Sequence, residues 1–170
     1  MHCRTLIHAT VLVALTACAL PRREVISARS AANEMNVYRA EAVHVSILVP
    51  PREVVEFLAD VNNWKTWAPW IRTVSKASAR DWTVETDGGT LQMRFVEANA
   101  LGVLDHTVSL ASGVSVYNAM RVSANGAGSE LSMVVLQTPP ASNVEFERDV
   151  QAVRDDFARI KKVLEGAARR

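Results

Sequence analysis

Apolar and polar residues alternate at the start of the region that follows residue 36. One apolar set recurs at every second position: Val43, Val45, Ile47 and Val49. Successive side chains of an extended chain point to opposite faces, so a period of two is typical of a half-buried β-strand. The pattern predicts a first strand within residues 37–49, which Pro50-Pro51 ends.

The apolar period becomes helical directly after the two prolines. Proline suits the first turn of a helix, and five apolar residues follow at helical spacing: Val54, Val55, Phe57, Leu58 and Val61. We expect a short helix with one apolar face, broken at Asn62-Asn63. Three tryptophans then recur at steps of three: Trp64, Trp67 and Trp70. Their large apolar area predicts that they anchor the short helices to the sheet, and a lid at a cavity mouth is the alternative.

From residue 73 to residue 137 the period returns to two. The predicted strands are 73–79, 81–86, 90–98, 103–110, 114–123 and 129–137. The breaks between them contain Gly, Asn and Asp, which tolerate the backbone angles of tight turns. Since no connection is long enough to hold a crossover helix, the sequence predicts an antiparallel meander.

The last part of the chain predicts one long helix. Ser142 and Glu145 have the spacing of a capping box, and Gly166 is a natural C-terminal stop. The apolar stripe between them is Phe146, Val150, Val153, Phe157, Ile160 and Leu164. A helix of about 24 residues is roughly 35 Å long, enough to cross a curved sheet. The predicted class is α+β: a strand, two short helices, six strands and a long C-terminal helix.

These elements and residues together resemble the START-like, or helix-grip, superfamily of polyketide cyclases/dehydrases and lipid transport proteins, also called SRPBCC. The resemblance is carried by the strand, proline and helix of residues 45–60. It is also carried by Asp60, Trp64 and Trp67, which are similar to the family's Asp-x-x-x-Trp-x-x-Trp element. It covers nearly all of residues 36–170 and implies a seven-stranded curved antiparallel sheet around the long helix, with an apolar cavity between them. Because members include lipid carriers, hormone receptors and aromatase/cyclases, the resemblance leaves the activity open.

Strand parity predicts which side chains would face such a cavity. A turn centred near Ser112 places His106 directly opposite Asn118 on the apolar inner face. The neighbouring hairpins place Phe95 beside His106 and Val135 beside Asn118. The candidate ligand-binding residues on or near this face are Met93, Phe95, His106, Asn118, Met120, Met133, Val135 and Gln137, with Trp67 and Phe157 from the helical segments. A few polar groups in an apolar wall are typical of a pocket for a small ligand.

His106 is the candidate catalytic residue, because an imidazole carries protons near neutral pH. The alternative is a core histidine whose hydrogen bonds Asn118 satisfies. Parity places Asp105, Tyr117 and Arg121 on the outer face, so Asp105 cannot form a dyad with His106 without a β-bulge. A twisted sheet edge is the alternative by which Tyr117 and Arg121 would reach the cavity.

Three functional hypotheses follow from this pattern. The first is a module that binds a small apolar or aromatic molecule. The second is a cyclase/dehydratase-like enzyme that uses His106 as general acid and base, and the third is a protein-interaction adaptor with a closed core.

Composition narrows the range of partners. The chain has 19 Lys and Arg against 18 Asp and Glu, a formal net charge of +1. Such a balance argues against nucleic-acid binding, which requires many basic contacts to phosphates. Cys3 and Cys18 both lie in the first twenty residues, so the rest of the chain has no thiol. No acidic or histidine cluster has metal-ligand spacing, and no phosphate-binding glycine motif opens a helix, so we expect neither a metal nor a cofactor.

Residues 1–35 are predicted to be an apolar leader and linker, and residues 36–170 the ligand-binding domain. The apolar run 5–20 is too short for a permanent membrane span, and residues 15–18 resemble a lipobox in which Cys18 would be lipidated. The arginines after the run outnumber Arg4 before it, the reverse of the bias in exported segments. Translation from Met35 would also give a complete domain. We therefore expect a cytoplasmic protein, with a membrane-anchored lipoprotein through Cys18 as the alternative.

Overall fold

A computed structural model describes residues 37–169. The strands are β1 Ala40–Ile47, β2 Ile71–Lys76, β3 Asp81–Thr86, β4 Gly89–Phe95, β5 His106–Leu110, β6 Ser115–Asn125 and β7 Gly128–Leu136. The helices are α1 Pro51–Ala59, a 3₁₀ helix Val61–Thr66 and α2 Asn143–Ala168. The predicted order of one strand, two short helices, six strands and one long helix is confirmed.

All seven strands form one antiparallel sheet in the order β1-β7-β6-β5-β4-β3-β2. Strand β1 pairs with β7, and the two short helices connect β1 to β2 at the opposite edge of the sheet. Helix α2 packs against β1 and β7, and α1 packs against β6 and β7. The core therefore lies between the inner face of the curved sheet and these helices.

Helix α2 begins at the predicted capping box. The Ser142 hydroxyl accepts a hydrogen bond from the Glu145 amide, and the Glu145 carboxylate accepts one from the Ser142 amide. The buried stripe is Phe146, Val150, Phe157, Ile160 and Leu164. The prediction that Gly166 ends the helix is wrong, because α2 continues to Ala168. Glu165 pairs with Lys161 and Arg169, one turn away on either side, and these pairs support the last turn.

The predicted break at Asn62-Asn63 is also misplaced. Helix α1 ends at Ala59, and Asp60 caps the 3₁₀ helix by accepting a hydrogen bond from the Asn62 amide. The two asparagines lie inside that 3₁₀ helix. The Asp60 carboxylate, by capping the 3₁₀ helix, marks the boundary between the two helices. Apolar spacing alone does not show this boundary.

The largest boundary error concerns residues 96–105, which form a loop where the sequence predicted the ends of two strands. The Asn99 side-chain oxygen accepts from the amides of Leu101 and Val103, which folds this loop back on itself. After this loop Leu104, Asp105 and His106 are buried in succession, at 4%, 3% and 4% exposure. Strand alternation alone does not bury three neighbours, so Asp105 is buried although parity correctly places it on the face opposite His106.

The predictions for Cys18, Met35 and the apolar run of residues 5–20 concern residues outside those that the structure describes. Within residues 37–169, none of the helices combines the length and the apolar character that a bilayer span requires.

A glycine in the 96–105 loop gives a test of this arrangement. Gly102 has a φ of +71°, and a Cβ added there would lie 2.0 Å from the Val122 carbonyl oxygen. Gly113 has a φ of +88° but has nothing within 4 Å of its Cβ position. We expect Gly113→Ala to lower the free energy of unfolding by about 1 kcal/mol through backbone strain. Gly102→Ala, which adds a backbone overlap, should lower it by about 3 kcal/mol.

Urea unfolding of the two variants measures the difference. Equal losses at the two positions would mean that the loop does not approach β6 as described.

Candidate functional site

A cavity of about 210 Å³ lies between the inner face of the sheet and the helices. The sheet contributes Leu91, Met93, His106, Val108, Asn118, Met120 and Met133 to its wall. The helical segments contribute Leu58, Trp64, Trp67, Trp70, Val153, Asp156, Phe157 and Ile160. Its volume exceeds the ~150 Å³ of an apolar cavity that binds benzene and is below the ~300 Å³ of typical drug-sized pockets. The cavity therefore suits a small, compact molecule.

The strand register places the polar side chains of the sheet wall side by side. His106 on β5 pairs with Asn118 on β6 and with Phe95 on β4, as parity predicts. Met93 and Met120 lie on the same inner face and line the cavity with them. A slip of one residue would turn all these side chains outward, so the register fixes the composition of the wall.

Both ring nitrogens of His106 are hydrogen-bonded. The Nδ1 atom lies 3.0 Å from the Leu104 carbonyl oxygen, which can only accept, so Nδ1 carries the proton and donates. The Nε2 atom lies 3.2 Å from the amide nitrogen of Asn118, which donates to its lone pair. His106 therefore has one defined neutral tautomer, held from both sides.

The surroundings of His106 keep its imidazole neutral. The Phe95 ring lies 4.9 Å and the Trp64 ring 5.6 Å from the imidazole, measured between ring centroids. Burial lowers the pKa of His106 below its ordinary value of 6.5, and the bond to Leu104 opposes this only in part. A buried imidazole with no described carboxylate partner has little to stabilise its charged form.

Two of the three tryptophans are buried and pack on each other beside the cavity. The Trp64 and Trp67 ring centroids lie 5.0 Å apart, and the Trp64 indole donates a 2.9 Å hydrogen bond to the Leu58 carbonyl. Trp70 is half-buried. The tryptophans thus hold the 3₁₀ helix on α1 and also form part of the cavity wall.

Asp156 is a cavity residue that sequence reasoning missed. It projects from α2, is mostly buried, and pairs with Arg159 one turn later. Burial raises the pKa of Asp156, while the bond to Arg159 opposes the shift. Position 156 follows Val153 by three residues and precedes Ile160 by four. Helical spacing therefore places Asp156 at the edge of the apolar stripe. This position was the one feature of the sequence that could have indicated its place in the cavity wall.

Three candidate ligand-binding residues do not line this cavity. Phe95 packs against the His106 ring and lines a separate surface pocket with Trp82 and Leu104. Val135 is half-buried on β7 outside the cavity wall. Gln137 donates to the Ala141 carbonyl and so secures the connection between β7 and α2. The other seven candidates are brought together at the cavity: Met93, His106, Asn118, Met120, Met133, Trp67 and Phe157.

Asp105 belongs to a separate polar cluster on the outer side of the sheet. Its carboxylate accepts a hydrogen bond from the Tyr117 hydroxyl and forms an ion pair with Arg121. The predicted separation of Asp105 from His106 therefore holds, but its carboxylate is buried rather than solvated. Tyr117 and Arg121 do not line the cavity.

No group of three His, Cys, Asp or Glu side chains within residues 37–169 is arranged to hold a metal ion. His44 is exposed on β1, where its Nδ1 lies 2.7 Å from the Glu130 carboxylate.

Burial of His106 predicts a pH dependence of stability. Between the lowered pKa of folded His106 and its ordinary value of 6.5, the unfolded chain binds a proton that the folded protein does not. The free energy of unfolding therefore rises with pH through this window, and the contribution of His106 is constant above it. His106→Gln should remove that rise, whereas His44→Gln at the exposed histidine should keep it.

Urea unfolding from about pH 5 to about pH 8 is the measurement. An unchanged profile in His106→Gln would show that the ring is not buried in its neutral form.

Comparisons with solved structures identify the fold. The crystal structure of Ara h 8.0201 matches with a TM-score of 0.58 and 17% identity, over 76% of this chain and 99% of that one. A START superfamily protein from Mycobacterium smegmatis matches with a TM-score of 0.61 and 8% identity, over 75% and 98%. DynU16, from the dynemicin biosynthetic locus, matches with a TM-score of 0.59 and 18% identity. That match covers 74% of this chain and 47% of DynU16.

No curated protein sequence matches the chain. The family described as polyketide cyclase/dehydrase and lipid transport matches residues 40–165, which include every strand and both α-helices up to the last turn of α2. The curved antiparallel sheet around a long C-terminal helix is the helix-grip architecture that the sequence resemblance implied. The chain therefore belongs to the polyketide cyclase/dehydrase and lipid transport family, with a START-like fold.

Proposed function

We propose that the domain binds one small, largely apolar aromatic molecule in the cavity between the sheet and α2. The observation that carries this proposal is the cavity itself, about 210 Å³ in volume and walled mainly by Leu, Met, Val, Phe and Trp side chains. Apolar walls with a few polar groups are the usual composition of a small-molecule site. Three tryptophans in the wall favour a flat aromatic guest, which can pack against their rings.

The state of His106 supports binding over acid-base catalysis. A general base needs a free lone pair within reach of the substrate proton. Here Nδ1 donates to the Leu104 carbonyl and Nε2 accepts from Asn118. The enzyme hypothesis therefore requires the bond between His106 and Asn118 to open when substrate binds. The adaptor hypothesis assumes a closed core, which the cavity does not favour.

The same exchange of valine for tryptophan, made at one position on each face of the sheet, tests the binding site. Val108 is half-buried in the cavity wall, whereas Val134 is exposed on the outer face of β7. The probe is 2-naphthol, a compact aromatic molecule. Val108→Trp should fill the cavity and weaken binding of this probe by more than about tenfold, since the probe and the new side chain need the same volume. Val134→Trp should leave the affinity unchanged.

Isothermal titration calorimetry gives both affinities, with urea unfolding to verify that each variant is folded. No binding of 2-naphthol, naphthalene or indole to the folded wild-type protein would overturn the proposal, as would equal effects of the two substitutions.

We also propose that the protein is cytoplasmic, because Arg22, Arg23 and Arg29 follow the apolar run of residues 5–20. N-terminal sequencing and mass spectrometry of the native protein should then find a chain that begins at Met1 or Met35 and carries no lipid. A mature N-terminus at a lipidated Cys18 would establish the membrane-anchored alternative instead.

A further inference from the structure

The polar atoms left free in the cavity wall restrict the chemistry of the guest. His106 offers none, since both of its nitrogens are bonded. Asn118 lines the cavity and uses its amide nitrogen to bond His106, and its carbonyl oxygen has no donor within residues 37–169. This oxygen gives the sheet side of the cavity a hydrogen-bond acceptor.

Asp156 supplies a second acceptor from the opposite, helical wall. Arg159 binds one carboxylate oxygen, Oδ1, and the other oxygen has no donor within the described residues. The Arg159 side chain lines an outer groove with Thr66 and Lys162 and does not line the cavity. The cavity therefore contains the negative end of this ion pair without its positive end.

Burial makes the charge of the Asp156 carboxylate sensitive to its surroundings. It raises the pKa of Asp156, and the neighbouring Asp155 adds a like charge in the same direction. A second carboxylate brought into the cavity would add further like-charge repulsion at low local dielectric. A neutral hydroxyl or N–H would instead give the carboxylate a hydrogen bond.

A guest displaces the water that otherwise solvates these two acceptors. Leaving a buried acceptor without a donor costs more free energy than a typical hydrogen bond contributes to stability. Sites built around such groups reject analogues that lack the matching donor. A hydroxyl or a neutral N–H supplies such a donor.

We propose that Asp156 and Asn118 make the cavity selective for compact aromatic molecules that carry a neutral hydrogen-bond donor, such as a phenolic hydroxyl, and exclude aromatic carboxylates. This proposal rests on the proposed binding function and specifies its ligand class. Asp156 is the specificity-determining residue that rejects anions.

Three probes of nearly the same shape separate these effects: 2-naphthol, 2-methoxynaphthalene and 2-naphthoate. At neutral pH we expect 2-naphthol to bind about tenfold more tightly than 2-methoxynaphthalene, which keeps the oxygen but lacks the donor. We expect 2-naphthoate to bind at least about tenfold more weakly than 2-naphthol. Isothermal titration calorimetry measures all three.

A neighbouring carboxylate provides the matched control. Asp156→Asn should strengthen 2-naphthoate binding by about tenfold, since it removes the buried charge and keeps an amide oxygen as acceptor. Asp155→Asn makes the same change of net charge at an exposed position and should have little effect.

The outcomes separate this inference from the proposed function. Equal binding of 2-naphthol and 2-methoxynaphthalene, or tight binding of 2-naphthoate to wild type, would overturn the selectivity while leaving the cavity as a binding site. Equal effects of Asp156→Asn and Asp155→Asn would remove Asp156 as the cause. If none of the three probes binds the folded wild type, the binding function itself fails.

Discussion

The imidazole of His106 is bonded on both sides, and this pair of hydrogen bonds depends on two different parts of the fold. The Leu104 carbonyl belongs to the 96–105 loop, whereas Asn118 belongs to β6. The loop is tied to β6 by hydrogen bonds from Val122 to the Gly102 carbonyl and from Leu104 to the Met120 carbonyl. The tautomer of one buried ring therefore reports the register of the sheet and the path of the loop together.

The cavity exists because the long helix does not cover the whole inner face of the sheet. Helix α2 packs on β1 and β7, at one edge. Beside it, the inner faces of β4, β5 and β6 meet Trp64 and Trp67, which the 3₁₀ helix and the segment after it hold in place. The large, rigid tryptophan side chains keep the helical segment at a distance from the sheet and so leave a space. With smaller side chains the two would pack together and close this space.

Sequence reasoning predicted the sheet wall well, because a period of two and a tight turn determine which residues face each other across a hairpin. The pairing of His106 with Asn118 and Phe95 follows from that rule. It failed where the chain leaves regular structure. The Asn99 side chain folds the loop that buries Asp105, and alternation contains no information about such a bond.

The missed Asp156 has a different origin. A charged residue on a long helix is usually solvated, and its burial depends on how the helix is rotated over the sheet. The apolar stripe predicts which face of the helix is buried, but it does not show whether a residue at the edge of that face is buried as well. Gln137 shows the converse, since parity pointed it inward but the connection to α2 uses its side chain.

The most direct test of this account is the ¹⁵N NMR spectrum of the His106 ring, recorded at neutral pH with and without 2-naphthol. We predict a neutral ring with a protonated Nδ1 and an unprotonated, hydrogen-bonded Nε2 in both states. A ring that carries its proton on Nε2, or that becomes charged when 2-naphthol binds, would contradict the account and favour a proton-transferring role for His106.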